Sequence, residues 1–79
     1  MITAYEVLDV REFEQRGTMR LVLICKETTP YSIARRRIEI TEHHPIYKDP
    51  YLLKTVTGDY IKIHEHKKDN QWVIDQIEY

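Results

Sequence analysis

The chain has one cysteine, two glycines, one serine, one tryptophan and one phenylalanine in 79 residues. Each scarcity excludes something. A lone thiol, Cys25, cannot close an internal disulfide, and a small secreted domain normally carries several as staples, so the expected setting is cytoplasmic. Two glycines leave no room for a phosphate-cradling glycine-rich loop or a flexible glycine linker. Ser32, the only serine, has neither a nucleophile-elbow turn nor a designated base around it. No apolar run approaches the roughly 20 residues needed to span a bilayer, and the start of the chain lacks the basic-then-apolar pattern of a signal peptide. No membrane association is expected. The net charge of −1 supplies no overall attraction for a polyanion.

What is present is ordinary globular composition, 42% hydrophobic and 32% charged, too rich in β-branched and aromatic residues for a disordered chain. Residues 1–79 are expected to form a single domain with one modest core. Charge is segregated along it. Residues 1–15 carry Glu6, Asp9, Glu12 and Glu14 against Arg11, whereas residues 16–37 carry Arg16, Arg20, Lys26, Arg35, Arg36 and Arg37 against Glu27. Pairing of the two segments would bring the opposite charges together.

Residues 2–14 and 18–28 are rich in Val, Ile, Leu and Thr and flank Gln15-Arg16-Gly17, a short connection whose glycine can take positive φ, so they predict a β-hairpin. The run Leu21-Val22-Leu23-Ile24-Cys25 is apolar on both faces and reads as a covered, central strand. Thr29-Pro30 can cap a short helix over 30–36, while alternation through Ala34, Ile38 and Ile40 favours a third strand, best defined over 37–42. His43 to Pro50 contains two prolines, neither able to donate to a ladder, and reads as a loop.

Gly58-Asp59 reads as a type II′ hairpin turn joining strands over 51–57 and 60–66, with a helix over 50–56 as the rival reading. A further hairpin looped by residues 67–70 would place Leu52, Val56, Ile61, Ile63, Trp72 and Ile74 on one core face. The expected architecture is mainly β, with α+β as the alternative: five or six antiparallel strands in a small sheet or barrel, perhaps with one short helix.

Three groups of residues are candidates for function. His64 and His66 flank Glu65, and positions i and i+2 of a strand project from one face, as pairs of metal-binding imidazoles do. Lacking a third ligand, they are weak metal candidates, and no cofactor is expected. Arg20, Lys26, Arg35, Arg36 and Arg37, with Tyr5 and Tyr31 nearby, combine phosphate-binding cations with stacking surfaces. Ile46, Tyr47, Lys48 and Tyr51 lie in or beside the proline-stiffened loop, where tyrosines offer large contact area at small entropic cost.

Cys25 sits in the most apolar run, where a thiol is usually inert. The leading expectation is therefore a non-enzymatic protein-binding module, accessory or inhibitory, acting on a larger partner. A nucleic-acid-binding β-barrel using residues 16–37 and a metal-binding protein using His64 and His66 are the alternatives. Self-association is compatible with all three.

Overall fold

The computed structural model describes residues 1–79. Five strands, β1 (Ile2–Gln15), β2 (Thr18–Glu27), β3 (Arg35–Thr41), β4 (Tyr60–Lys68) and β5 (Gln71–Glu78), form one antiparallel sheet in the order β3-β2-β1-β4-β5. The sheet curls around a core but does not close into a barrel, since β3 and β5 share no ladder. Helical structure is confined to two short 3-10 turns, Pro45–Lys48 and Leu52–Lys54. Neither 30–36 nor 50–56 is an α-helix.

The expected first hairpin is present, turned by Arg16 and Gly17 alone, both with positive φ, between the closing partners Gln15 and Thr18. Pairs run regularly until a bulge between Val7 and Asp9 leaves Leu8 unmatched. A bulge inverts the in-out parity of a strand. Tyr5 and Val7 point into the core, and beyond the bulge the inward set becomes Val10, opposite Leu23, and Glu12, opposite Leu21. β2 has strands on both sides, and its inward Leu21, Leu23 and Cys25 are buried, as is the outward Val22.

The segment joining β3 to β4 is not a strand. It crosses the concave face as a lid, bringing Ile46 and Tyr47 against the core and burying Leu52 completely. Pro45 starts the first 3-10 turn, where its missing N–H costs nothing, and His44 Nδ1 accepts the Ile46 N–H at 3.1 Å. Asp49 then accepts the Tyr51 N–H at 2.9 Å, an Asx turn that redirects the chain.

Gly58 has the expected positive φ, +98°, but the turn is different. Asp59 N–H donates to Val56 carbonyl at 3.1 Å, placing Gly58 third in a Val56–Asp59 turn of type II rather than second in a hairpin. Gly58 N–H donates to Val7 carbonyl and Asp59 carbonyl accepts from Val7 N–H, each at 2.8 Å, so the turn feeds β4 onto β1 instead of onto residues 51–57. Val56 is accordingly exposed.

The β4–β5 hairpin turns on Asp69 and Asn70, both with positive φ, and pairs Lys68 with Gln71, Lys67 with Trp72 and Glu65 with Ile74. A second bulge frees Asp75 and brings Ile77 opposite Ile63. Ile74 and Ile77 therefore both face the core, which no unbroken strand permits. Trp72 shares that side but lies beyond the end of the core and is 49% exposed, so it is not the core anchor that the sequence pattern suggests.

Candidate binding surfaces

Polar chemistry inside the sheet centres on Arg36. Its guanidinium binds Glu65 through two hydrogen bonds of 2.7 Å, donates to Tyr5 Oη at 2.9 Å, and lies 5.7 Å from the Tyr5 ring centre. Glu65 is almost fully buried, so a charge-assisted bidentate partner is what makes its burial tolerable. Hydrogen bonding to Glu65 holds the Arg36 guanidinium more firmly protonated than usual. Burial pushes the nearby Cys25 thiol up to about 11 against the opposing charge of Arg36.

The remaining cations of the basic segment are dispersed. Arg20 and Arg37 both bind Glu39, at 2.8 and 3.1 Å, and hold its carboxyl below the usual range. Lys26 is half-buried between its register partners Glu6 and Arg35, and Arg35 is exposed without an ion pair. Three of the five candidate cations are thus engaged by carboxylates. None of the ion pairs joins residues 16–37 to residues 1–15. The first hairpin only sets Glu6 opposite Lys26, without an ion pair, and the segregated charges are balanced mainly by Glu39 and Glu65.

His64 and His66 both project from β4, and each meets a carboxylate on β5. His66 Nδ1 lies 2.8 Å from Asp75 Oδ1, the residue released by the bulge. His64 Nε2 is 3.3 Å from Glu78 Oε1 but is not aligned for a hydrogen bond, so attraction there is Coulombic when the ring is protonated. No group of three or more His, Cys, Asp or Glu side chains is assembled that could hold a metal ion.

The tyrosines divide into two sets. Tyr5 is committed to Arg36, and Tyr47 is half-buried with its hydroxyl donating to Glu12 at 3.3 Å. Burial, reinforced by Glu12, raises the Tyr47 phenol above its ordinary value. Of the loop candidates, Ile46 and Tyr47 pack against the core, while Lys48 and Tyr51 remain exposed.

The other four tyrosines are open to solvent: Tyr31 at 93%, Tyr60 at 67%, Tyr51 at 65% and Tyr79 at 48%. They are strung along one end of the sheet. Tyr51 and Tyr79 are in contact, with ring centres 5.9 Å apart. Tyr79 and Tyr60 line one cleft of about 330 Å³ over Ala4, Ile61 and Lys62. Tyr60 and Thr28 also line the adjoining cleft of about 260 Å³, which reaches Pro30 beside Tyr31. Burial pushes the Tyr79 phenol up to about 12, with Asp49 adding to the rise and Thr55 opposing it, so its hydroxyl end tucks against the lid while the ring stays half open.

Ala4 makes the larger cleft. Its methyl group stands in the outward row between Thr28 at the end of β2 and Lys62 on β4, where any longer side chain would fill the gap. Tyr31 enters the sequence reading only as a stacking surface beside the arginines, and Tyr60 and Tyr79 escape it because nothing in their composition distinguishes them from core aromatics. The available signal was position: Tyr60 begins a strand with the parity opposite to Ile61 and Ile63.

No protein-family model, curated protein or solved structure matches the chain. The class that the fold and surfaces define is a small, open, curled antiparallel sheet with a lidded concave face.

Proposed function

We propose that the chain is a small non-enzymatic protein-binding module, an accessory or inhibitory protein that attaches to a larger partner through the tyrosine-lined end of its sheet. One observation carries the reading: four of six tyrosines are left exposed, and three of them are linked, Tyr51 to Tyr79 by ring contact and Tyr79 to Tyr60 across one cleft that adjoins a second. Tyrosine is enriched in binding hot spots because a rigid ring gives large contact area for few frozen torsions. A standard interface takes about 800 Å² from each partner, a modest fraction of the 5693 Å² surface of this chain. Lys62 opposed to Glu78 leaves the larger cleft neutral, and Glu6 and Glu27 against Lys26 leave the smaller one slightly acidic, which suits a protein better than a polyanion. The single thiol is buried and protonated, which fits a binding role in the cytoplasm better than catalysis.

The test compares tagged parent protein, Tyr60→Ala/Tyr79→Ala and Lys26→Glu/Arg35→Glu in recovery of a partner from native lysate, with and without nuclease, at two salt concentrations. The tyrosine variant is expected to lose a protein partner that the charge variant retains. Loss confined to the charge variant, abolished by nuclease and steep in salt, would establish nucleic-acid binding instead.

A further inference from the structure

The two edges of the sheet offer a second surface, remote from the tyrosines. Every neighbouring pair of strands is antiparallel, and with five strands the edges β3 and β5 therefore run in the same direction. Curling brings them face to face. A cleft of about 250 Å³ is lined by Glu39 and Ile40 of β3, by Trp72, Val73 and Ile74 of β5, and by His44. Both inward residues (Ile40, Trp72, Ile74) and outward residues (Glu39, Val73) contribute, so the cleft lies in the seam between the edges and not on one face. No backbone hydrogen bond crosses it.

The backbone at this seam is available for pairing. Lys68 and Gln71 close a two-residue turn, and bonded and non-bonded pairs alternate away from such a turn. That alternation directs the N–H and C=O of Trp72 and Ile74 away from β4, into the seam. The ion pair of Arg36 with Glu65 ties β3 to the opposite wall. Direct closure of β3 onto β5 would require a parallel ladder, the less stable kind. One strand inserted between them would instead run antiparallel to both and satisfy two edges together.

We infer that the seam between β3 and β5 receives one extended segment of a partner protein as a sixth strand, which closes the sheet. The segment has apolar side chains at alternate positions, set over Ile40, Trp72 and Ile74. Its C-terminal end, which meets the N-terminal ends of β3 and β5, is acidic, because Arg35, Lys67 and Lys68 there have no ion-pair partner and only Asp69 opposes them locally. At the other end Glu42 is likewise without an ion pair and Asp75 meets only His66, so that end of the segment carries no acidic residue. Exposed edges are usually blunted by charge or cover. Here the apolar lining is retained, and the unpaired charge at the Arg35 end is in positive excess.

The probe is a synthetic peptide of alternating valine and threonine with two aspartates at its C-terminal end, beside a control N-methylated at alternate backbone nitrogens. Trp72 is the only tryptophan and reports directly. The expected result is a saturable blue shift of its fluorescence with the first peptide alone, and slowed amide exchange on both β3 and β5. Trp72→Glu, read by amide exchange, should weaken binding at least about tenfold, and Tyr60→Ala should leave it unchanged. Protection of one edge only, or no saturable change at millimolar peptide, overturns the inference. A shift that appears with protein concentration in the absence of peptide overturns it in favour of a second copy of the chain.

Discussion

Arg36 on β3 and Glu65 on β4 are joined by two hydrogen bonds of 2.7 Å although β2 and β1 lie between their strands in the sheet. Such a contact is made only across the concave side, so this one ion pair records how far the sheet has curled. Tyr5, on the intervening β1, donates nothing to it and accepts from Arg36 at 2.9 Å, which fixes the guanidinium from below. Specific geometry rather than net stabilisation is the usual return from a buried pair.

Removing one member should therefore cost more than removing both. Arg36→Ala strands a buried carboxylate and is expected to lose about 2–3 kcal/mol, below the full range for buried pairs because the arginine is about a third exposed. Arg36→Met/Glu65→Leu should recover most of that loss. Urea denaturation of the three proteins checks the order, and equal destabilisation of single and double variants would contradict it.

Cys25 is expected to behave as a sealed thiol. With its folded-state value pushed up to about 11 from an ordinary value near 9, the unfolded chain releases the proton first. Stability should then be insensitive to this group below pH ~9 and fall as pH rises from about 9 towards 11. At pH 8 a thiol reagent should label the native protein only as fast as it opens. Rapid stoichiometric labelling without denaturant would show that the concave face is accessible.

Leu23 and Trp72 provide a paired test of the core. Leu23 is fully buried and Trp72 half exposed, so Leu23→Ala should cost about 2–5 kcal/mol and Trp72→Ala less, despite the larger side chain removed. Thermal midpoints in the reverse order would place the end of the core elsewhere.

Turn positions should respond by φ and not by packing. Gly58 has φ +98° with nothing within 4 Å of an added Cβ, so Gly58→Val should cost about 1–3 kcal/mol from backbone strain alone. Asn70, at φ 62°, should accept glycine with little change or a gain. Calorimetry of both distinguishes the conformational explanation from a steric one.

The first hairpin was legible because Arg16-Gly17 sits between two long β-branched runs, and the division of 37–41 into inward isoleucines and outward polar residues was legible from parity, whereas the inward Arg36 was not. Register beyond a bulge was not. Leu8 and Asp75 each shift a strand by one residue, so alternation read through Asp75 assigns Ile77 to the wrong face, and the turn itself is Asp69-Asn70 and not residues 67–70, since Lys67 and Lys68 belong to β4. Leu52 was expected in the core and is there, though it reaches the core from a 3-10 lid and not from a strand.

Among the candidate residues, sequence placed His64 and His66 on one strand and Tyr51 at the surface, but it could not say which tyrosines the core would consume. Tyr5 and Tyr31 are equally aromatic and equally near arginines in the chain. Only the curl of the sheet brings Arg36 and Glu65 to Tyr5, and only the path of the β2–β3 connection leaves Tyr31 outside.

The amino-acid order by itself determined a mainly β domain, the positive φ at Gly17 and Gly58 and the alternation within each unbroken strand, since these depend on φ preferences and on neighbours two positions apart. The tertiary structure alone decided the open seam, the lid, the partner of Arg36 and the aromatic end. Those depend on contacts between residues tens of positions apart, and on bulges whose one-residue shifts leave no mark in the local pattern.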